Sequence, residues 1–299
     1  MTPLAAAQGR PELSEHCRLA SVLVKHAREA FINDATVQSQ WKRLNFSAPP
    51  DLPRALDEYD RFIDVIATAG CEIVWLHADA NTTLDSIYTR DAAIVSERGI
   101  IVSNMGKASR AGEPEAEERK LRAMGRPIAG AIAAPGHLEG GDLIWLDRKT
   151  LAVGLGKRTN QQGIRQLEVL LDGTFDDLFV VPLPDYPAQH DVMHLMSLIS
   201  PVDADLAVVY SPLLPYGFRQ TLRQRGYRFV EVPDDEFETM GCNVLALGPR
   251  DCVMLNGNPK TRAALEKARA NVRVYDGAEI SLKGGGGPTC LTRPLTRVG

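Results

Sequence analysis

The sequence predicts an α/β protein assembled from a recurring strand–strand–helix–strand unit whose copies share an axis. Three observations predict it. The chain has 299 residues, 44% hydrophobic and 24% charged, which is enough for a sizeable core and too apolar for wholesale disorder. Pairs of strand-like runs joined by short turns repeatedly precede a helix-period segment and a further strand. About four such units follow one another at roughly regular spacing, and units unable to bury their faces alone stack or gather around an axis. The repetition is one of architecture, since the copies share no repeated residues.

The elements follow in order. Residues 1–18 are polar, aperiodic and carry two prolines, and read as a loose leader; residues 19–299 read as a single domain. Ser21–Lys25 is a first strand. The connection from His26 to Pro53 is long for a loop and reads as a functional lid, a docked helix or a disordered stretch; helix propensity in Ala27–Arg43 favours a short helix, and the segment is the candidate lid. Asp51–Pro53 starts a helix whose Leu56, Tyr59, Phe62, Ile63 and Ile66 recur at helical spacing, ending at Gly70 before the strand Cys71–Leu76. Ala92–Ser96 and Gly99–Ser103 pair across Glu97-Arg98, then come the helix Glu113–Met124 and the strand Ile128–Ala134. The next unit is Asp142–Leu146, Thr150–Val153, the helix Asn160–Leu171 and the strand Leu178–Pro182. A fainter copy runs through Asp205–Tyr210, the helix Phe218–Arg225 and the strand Arg228–Val232. Asn243–Leu247, Cys252–Leu255, the helix Lys260–Ala270 and the strand Val272–Tyr275 complete the last.

Composition excludes several classes. No run approaches the roughly 18 uncharged apolar residues of a membrane span, and the start has no basic region followed by an apolar one, so no secretory signal is expected. Five scattered cysteines without CxxC spacing argue against a disulfide scaffold or zinc ribbon and for a reducing cytoplasm. A formal net charge of −4 with mixed signs leaves no footprint for nucleic acid. Homo-oligomerisation is left open.

The loops between units hold most of the reactive side chains. Cys290 follows four consecutive glycines, Gly284 to Gly287, which permit an unusual backbone path and close approach of a ligand. A thiol there is either a nucleophile or a buried structural group, and the glycine run favours the nucleophile. A cysteine nucleophile wants a histidine as acid or base. His190 and His194 lie four apart, but the segment is not HExxH and shows no third ligand, so a metal is not expected. Spacing alone leaves His194 structural or catalytic. Glu139 and Asp142, around Gly140-Gly141, fit a solvated turn as well as a strand mouth. In DSIYTRD (85–91), Asp91 carries a charge into the apolar run Ala-Ala-Ile-Val, a costly placement without a cationic partner. Arg90 could be that partner; so could a cationic substrate. Arg110 and Arg158 each precede a helix and could clamp a carboxylate, though surface arginines are common.

Together the motifs DSIYTRD, SRAGE (109–113), GHLEGGD (136–142), KRTN (157–160), MHLMS (193–197), CNVL (242–245) and GGGGPTCLTRPL (284–295) resemble, in order and spacing, the guanidino-group modifying superfamily of dimethylarginine dimethylaminohydrolases, arginine deiminases, agmatine deiminases and amidinotransferases. The match spans roughly Glu58 to Pro294. The resemblance implies a five-bladed α/β propeller of ββαβ modules with pseudo-fivefold symmetry and an axial active site without cofactor or metal. It implies that Cys290 attacks a guanidinium carbon, that Asp91 and Glu139 grip its nitrogens, and that His194 protonates the leaving nitrogen and then activates water. Arg110 and Arg158 would hold the substrate carboxylate, with Asp85 near the substrate. Deiminases and amidinotransferases carry an aspartate two residues after the histidine; here that place is Met196, as the dimethylarginine hydrolases also lack the acid. An apolar residue there suits an N-alkylated guanidine, whereas YTRD and GGGGPTC are closer to the deiminases. N-methylated arginine is therefore the favoured small-molecule guanidino substrate and arginine the next. An amidinotransferase is the runner-up reading, and a non-catalytic binding protein on the same scaffold the third.

Overall fold

The computed structural model describes residues 12–186 and 193–299. Five three-stranded sheets are arranged as a five-bladed α/β propeller. Four blades repeat one grammar: an edge strand, an antiparallel middle strand, a helix, and a third strand parallel to the middle one. They are Ala93–Ser96, Gly99–Val102 and Ile128–Ala131; Leu143–Asp147, Thr150–Leu155 and Asp177–Pro182; Ile199–Asp203, Leu206–Val209 and Arg228–Glu231; and Val244–Gly248, Asp251–Leu255 and Asn271–Tyr275. The fifth blade joins the two ends of the chain. Arg18–Val24 is its middle strand, Glu72–Trp75 lies parallel to it, and the C-terminal strand Arg293–Val298 supplies the antiparallel edge.

Local sequence explains the elements. Asn160 caps the helix Gln161–Leu170 by accepting from the Gly163 amide at 2.9 Å. Asp51 caps Leu52–Ala67, which buries Ala55, Tyr59, Phe62 and Ile66 on one face. Middle strands are sandwiched between neighbours, so Leu206–Val209 is buried at all four positions instead of alternating.

Two edge strands escape the sequence reading, Ile199–Asp203 and Arg293–Val298. Each contains a proline, Pro201 and Pro294, which argues against a strand unless the residue sits on an edge. Both are edges of their sheets, and the pairing slips near the first proline.

The leader needs correction, and the connection that follows the first strand is the docked helical segment among its expected forms. Residues 1–11 lie outside the described residues, but Leu13, Ser14, Glu15 and His16 are buried, and the Glu15 amide donates to the Trp145 carbonyl at 3.1 Å. Arg18 already belongs to a strand. The segment from His26 to Pro53 forms two short helices, Ala27–Ala30 and Asp34–Gln40, whose surroundings bury Phe31, Val37, Leu44 and Phe46 in the core. These apolar side chains tie the segment down. It braces the glycine loop, with the Ser47 amide donating to the Lys283 carbonyl at 2.8 Å.

Candidate active site

Each blade presents one polar side chain just ahead of its edge strand: Asp91, Glu139, His194, Asn243 and Cys290. Equivalent positions of five blades meet at the ring's axis, so residues spread over 200 positions of sequence become neighbours.

Cys290 and His194 border one open pocket of about 740 Å³. Asn243 Nδ2 donates to the Cys290 sulfur at 3.5 Å, and its Oδ1 accepts from both the amide and the hydroxyl of Thr289 at 3.0 and 2.9 Å. The glycine loop makes this path possible. Gly285 adopts φ +80°, and a Cβ on Gly286 would run into the ring of Tyr88.

His194 stands on a bed of carboxylates. Its Nε2 lies 2.8 Å from Glu139 Oε2 and its Nδ1 3.9 Å from Asp91 Oδ1. Asp142 accepts from the Leu195 amide at 2.9 Å, fixing the turn that carries the imidazole. Burial opposes charge on His194, but Asp91, Asp142 and Glu139 outweigh it and raise its pKa to about 9. The imidazole is therefore a cation at neutral pH. Burial works against ionisation of Glu139 too, and here the His194 hydrogen bond and the Arg158 charge prevail, holding the carboxyl well below the usual range. Asp91 is likewise depressed, burial being overcome by His194 and Arg110. Burial pushes Asp142 up to about 6. Burial and the nearby Asp91 push the Cys290 thiol up, against hydrogen bonds from Thr289, Asn243 and the loop backbone. At rest the pair is thiol and imidazolium.

The remaining expected residues stand differently. Asp91 and Glu139 do not border the open pocket; they lie behind it, against His194. Arg110 is buried, with Nε and Nη2 on Glu113, Nη1 on Asp91 at 2.6 Å and Nη2 also on the Tyr88 carbonyl. With these donors committed, and with no place on the wall of the Cys290 pocket, it orients Asp91. Arg158 Nη1 holds Glu139 at 3.0 and 2.8 Å. It also borders a second pocket of about 690 Å³ with Lys157 and Asp185, and Tyr186 and Met193 border both pockets. Asp85 pairs with Lys107 at 2.8 Å and is not on the wall of the first pocket. His190 lies outside the described residues. Asp91, Glu139 and His194 bring ligand atoms within 4.8 Å of one another, a spacing a metal could use, but the two carboxylates already face the cations Arg110 and Arg158.

Two contributors were missed by reading residues singly. Asn243 is signalled only by its place in the repeat, immediately before an edge strand. Arg90 is one of the two partners the sequence offers Asp91, the other being a cationic substrate. Arg90 points the other way: Nε donates to the Thr289 carbonyl at 2.9 Å, and its amide donates to the Cys290 carbonyl at 3.1 Å.

A propeller whose axis carries a cysteine, a cationic histidine and ionised carboxylates defines a hydrolase class acting on linear amidines. The chain belongs to the N,N-dimethylarginine dimethylhydrolase family, whose eukaryotic family model matches residues 28–297. It is 26% identical over 244 residues to the dimethylarginine dimethylaminohydrolase of Pseudomonas aeruginosa, covering 81% of this chain and 89% of that one. It is 26% identical over 248 residues to an arginine deiminase of Rhodococcus erythropolis, covering 71% of this chain and 60% of the deiminase. Among solved structures, the Pseudomonas enzyme complexed with citrulline superposes with a TM-score of 0.74 at 22% identity, over 93% of this chain and 99% of that one.

Proposed function

We propose that residues 19–299 act as one catalytic domain that hydrolyses N-methylated arginine, with arginine the next substrate, through a covalent adduct on Cys290. The observation that carries the reading is one pocket bordered by both Cys290 and His194, with Glu139 2.8 Å behind the imidazole. The two carboxylates already bind guanidinium groups, those of Arg110 and Arg158, so their geometry suits the cation. Met193, Met196 and Met240 line the pocket and favour an alkylated nitrogen.

The substrate cation, drawn to Asp91 and Glu139, lowers the cost of ionising the thiol, whose proton passes to solvent. The thiolate attacks the guanidinium carbon: a C–S bond forms and the C=N π electrons return to nitrogen. His194 gives its proton to the methylated nitrogen, the C–N bond breaks, and the free amine leaves an S-alkylthiouronium. Neutral His194 then takes a proton from water, whose oxygen bonds to the carbon. Collapse breaks C–S, restores the thiolate and, after loss of a proton, yields the ureido product. No metal or organic cofactor takes part. Five unpaired thiols fit a reducing cytoplasm.

The test is a panel of methylated arginines, arginine and agmatine, with and without acceptor amines, read by mass spectrometry for ureido product. Turnover of methylated arginine without an acceptor supports the reading. Product that depends on an added amine would make the protein an amidinotransferase, and no turnover of any guanidine with Cys290 intact would make it a binding protein.

A further inference from the structure

Arg90 is fully buried, and its side chain bridges the loop that carries Cys290 and the segment ahead of the first strand. On one side its Nε donates to the Thr289 carbonyl of the nucleophile's loop, while the Arg90 backbone amide donates to the Cys290 carbonyl. On the other, Nη1 lies 3.3 Å from Oε2 of Glu15, in the segment ahead of the first strand. Arg90 borders the pocket that contains Cys290. With Glu15 it also borders a small cavity behind that pocket, walled by Met196, Ser200 and Leu245. The pair therefore forms a partition across the ring's axis.

Two bonds from one arginine fix consecutive carbonyls on the chain that carries the sulfur. Arg90 Nη2 has no partner of its own, so Glu15 is the carboxylate that compensates this buried charge. Without it the guanidinium has reason to leave its site, and the Thr289 carbonyl loses its side-chain anchor, leaving the backbone bond from the Arg90 amide to the Cys290 carbonyl as the remaining tie. Resting on the reading that Cys290 is the nucleophile, we infer that Glu15 and Arg90 are positioning residues: the N-terminal segment sets the place of the sulfur from behind, through Arg90, without touching substrate.

The geometry defines what should change. Glu15 is not on the wall of the Cys290 pocket, so substrate binding should survive its neutralisation while the reacting distance suffers. Misplacing a reacting atom by about 1 Å can cost on the order of 100-fold in rate. Glu15→Gln is therefore expected to lower kcat about 10-fold or more with KM changed less than about twofold. Arg90→Lys, which keeps the charge but lacks the Nε donor, is expected to do the same. The rate of Cys290 alkylation by a haloacetamidine should fall in parallel, while labelling of the other four cysteines and the circular dichroism spectrum stay as in the parent. Should Glu15→Gln not fold, Glu15→Asp, which keeps the charge on a shorter arm, decides by the same readouts.

The parent protein and Cys290→Ser are measured first. Absence of Cys290-dependent turnover in the parent refutes the nucleophile reading and this inference with it. Turnover in the parent combined with unchanged kcat in folded Glu15 and Arg90 variants refutes the positioning role alone, as does an effect confined to KM.

Discussion

At the scale of the residue, charge decides the chemistry. His194 is held cationic by three carboxylates and Cys290 is held as a thiol by burial and Asp91, so neither group is in its nucleophilic or basic form before substrate arrives. Reagents should report this directly. A cationic haloacetamidine is expected to alkylate Cys290 at pH 7 about tenfold or more faster than a neutral haloacetamide of equal intrinsic reactivity, because only the cation gains the pull of Asp91 and Glu139. Competition labelling followed by peptide mapping measures it; equal rates at Cys290 would show that the carboxylates behind the pocket do not draw a cation to the sulfur. The same raised pKa has a stability consequence. A histidine whose folded value is about 9, above the ordinary 6.5, stabilises the fold fully below pH 6.5 and loses that contribution as pH rises through about 9. The melting temperature is expected to fall between pH 7 and 10, and His194→Gln should flatten that slope. Met196 provides a substrate test. Replacing it by aspartate puts a carboxylate on the pocket wall beside His194 and is expected to raise the kcat/KM of arginine relative to dimethylarginine about tenfold. An unchanged ratio would show that Met196 does not select the substrate.

At the scale of the element, the glycine loop and the edge strands carry the argument. Gly286 packs on the ring of Tyr88, whose hydroxyl is tied to the Ile280 carbonyl at 3.1 Å and gives little room to retreat. Gly286→Ala is expected to cost about 1–3 kcal/mol of stability, by overpacking, and to slow turnover by moving Cys290. Denaturant unfolding with parallel kinetics checks both. This level also shows what could be read from sequence. Helices with a cap and a periodic face, such as Leu52–Ala67 and Gln161–Leu170, were legible because each signal is local. The strands Ile199–Asp203 and Arg293–Val298 were hidden by prolines that only an edge position tolerates. Cys290 stood out through its glycines. Asn243 and Arg90 did not, because what they do depends on partners 47 and 199 positions away. The motifs led to Arg110 and Arg158, and the structure gives both a task that motifs cannot express, holding the carboxylates Asp91 and Glu139.

At the scale of the whole molecule, the ring is closed by its own ends. The last strand pairs with the first from Arg18–Val298 to Leu23–Arg293, and Cys290, the proposed nucleophile, sits three residues before that strand. The strand that seals the fifth blade thus also brings the Cys290 thiol to the axis, so on the proposed mechanism closure and catalysis depend on the same strand. Deleting residues 293–299 removes the antiparallel edge from this sheet. The truncated chain is expected to lose both its cooperative melting transition and its activity, as calorimetry and the ureido assay would record. A truncated protein that melted cooperatively and turned over guanidines would mean that the ring does not depend on this seal.

The most direct test of the central claim is the mass of the peptide that bears residue 290 during reaction. Incubated with an S-methylisothiourea analogue of the substrate, whose methanethiolate leaves without a proton from the imidazole, and quenched in acid, a His194→Gly variant, which cannot activate water, is expected to carry the amidino-linked adduct on Cys290, while on N-methylated arginine the parent turns over and Cys290→Ser carries no adduct and is slowed at least about a thousandfold. Ureido product formed at the parental rate by the serine variant, with no adduct on any cysteine, would contradict the account.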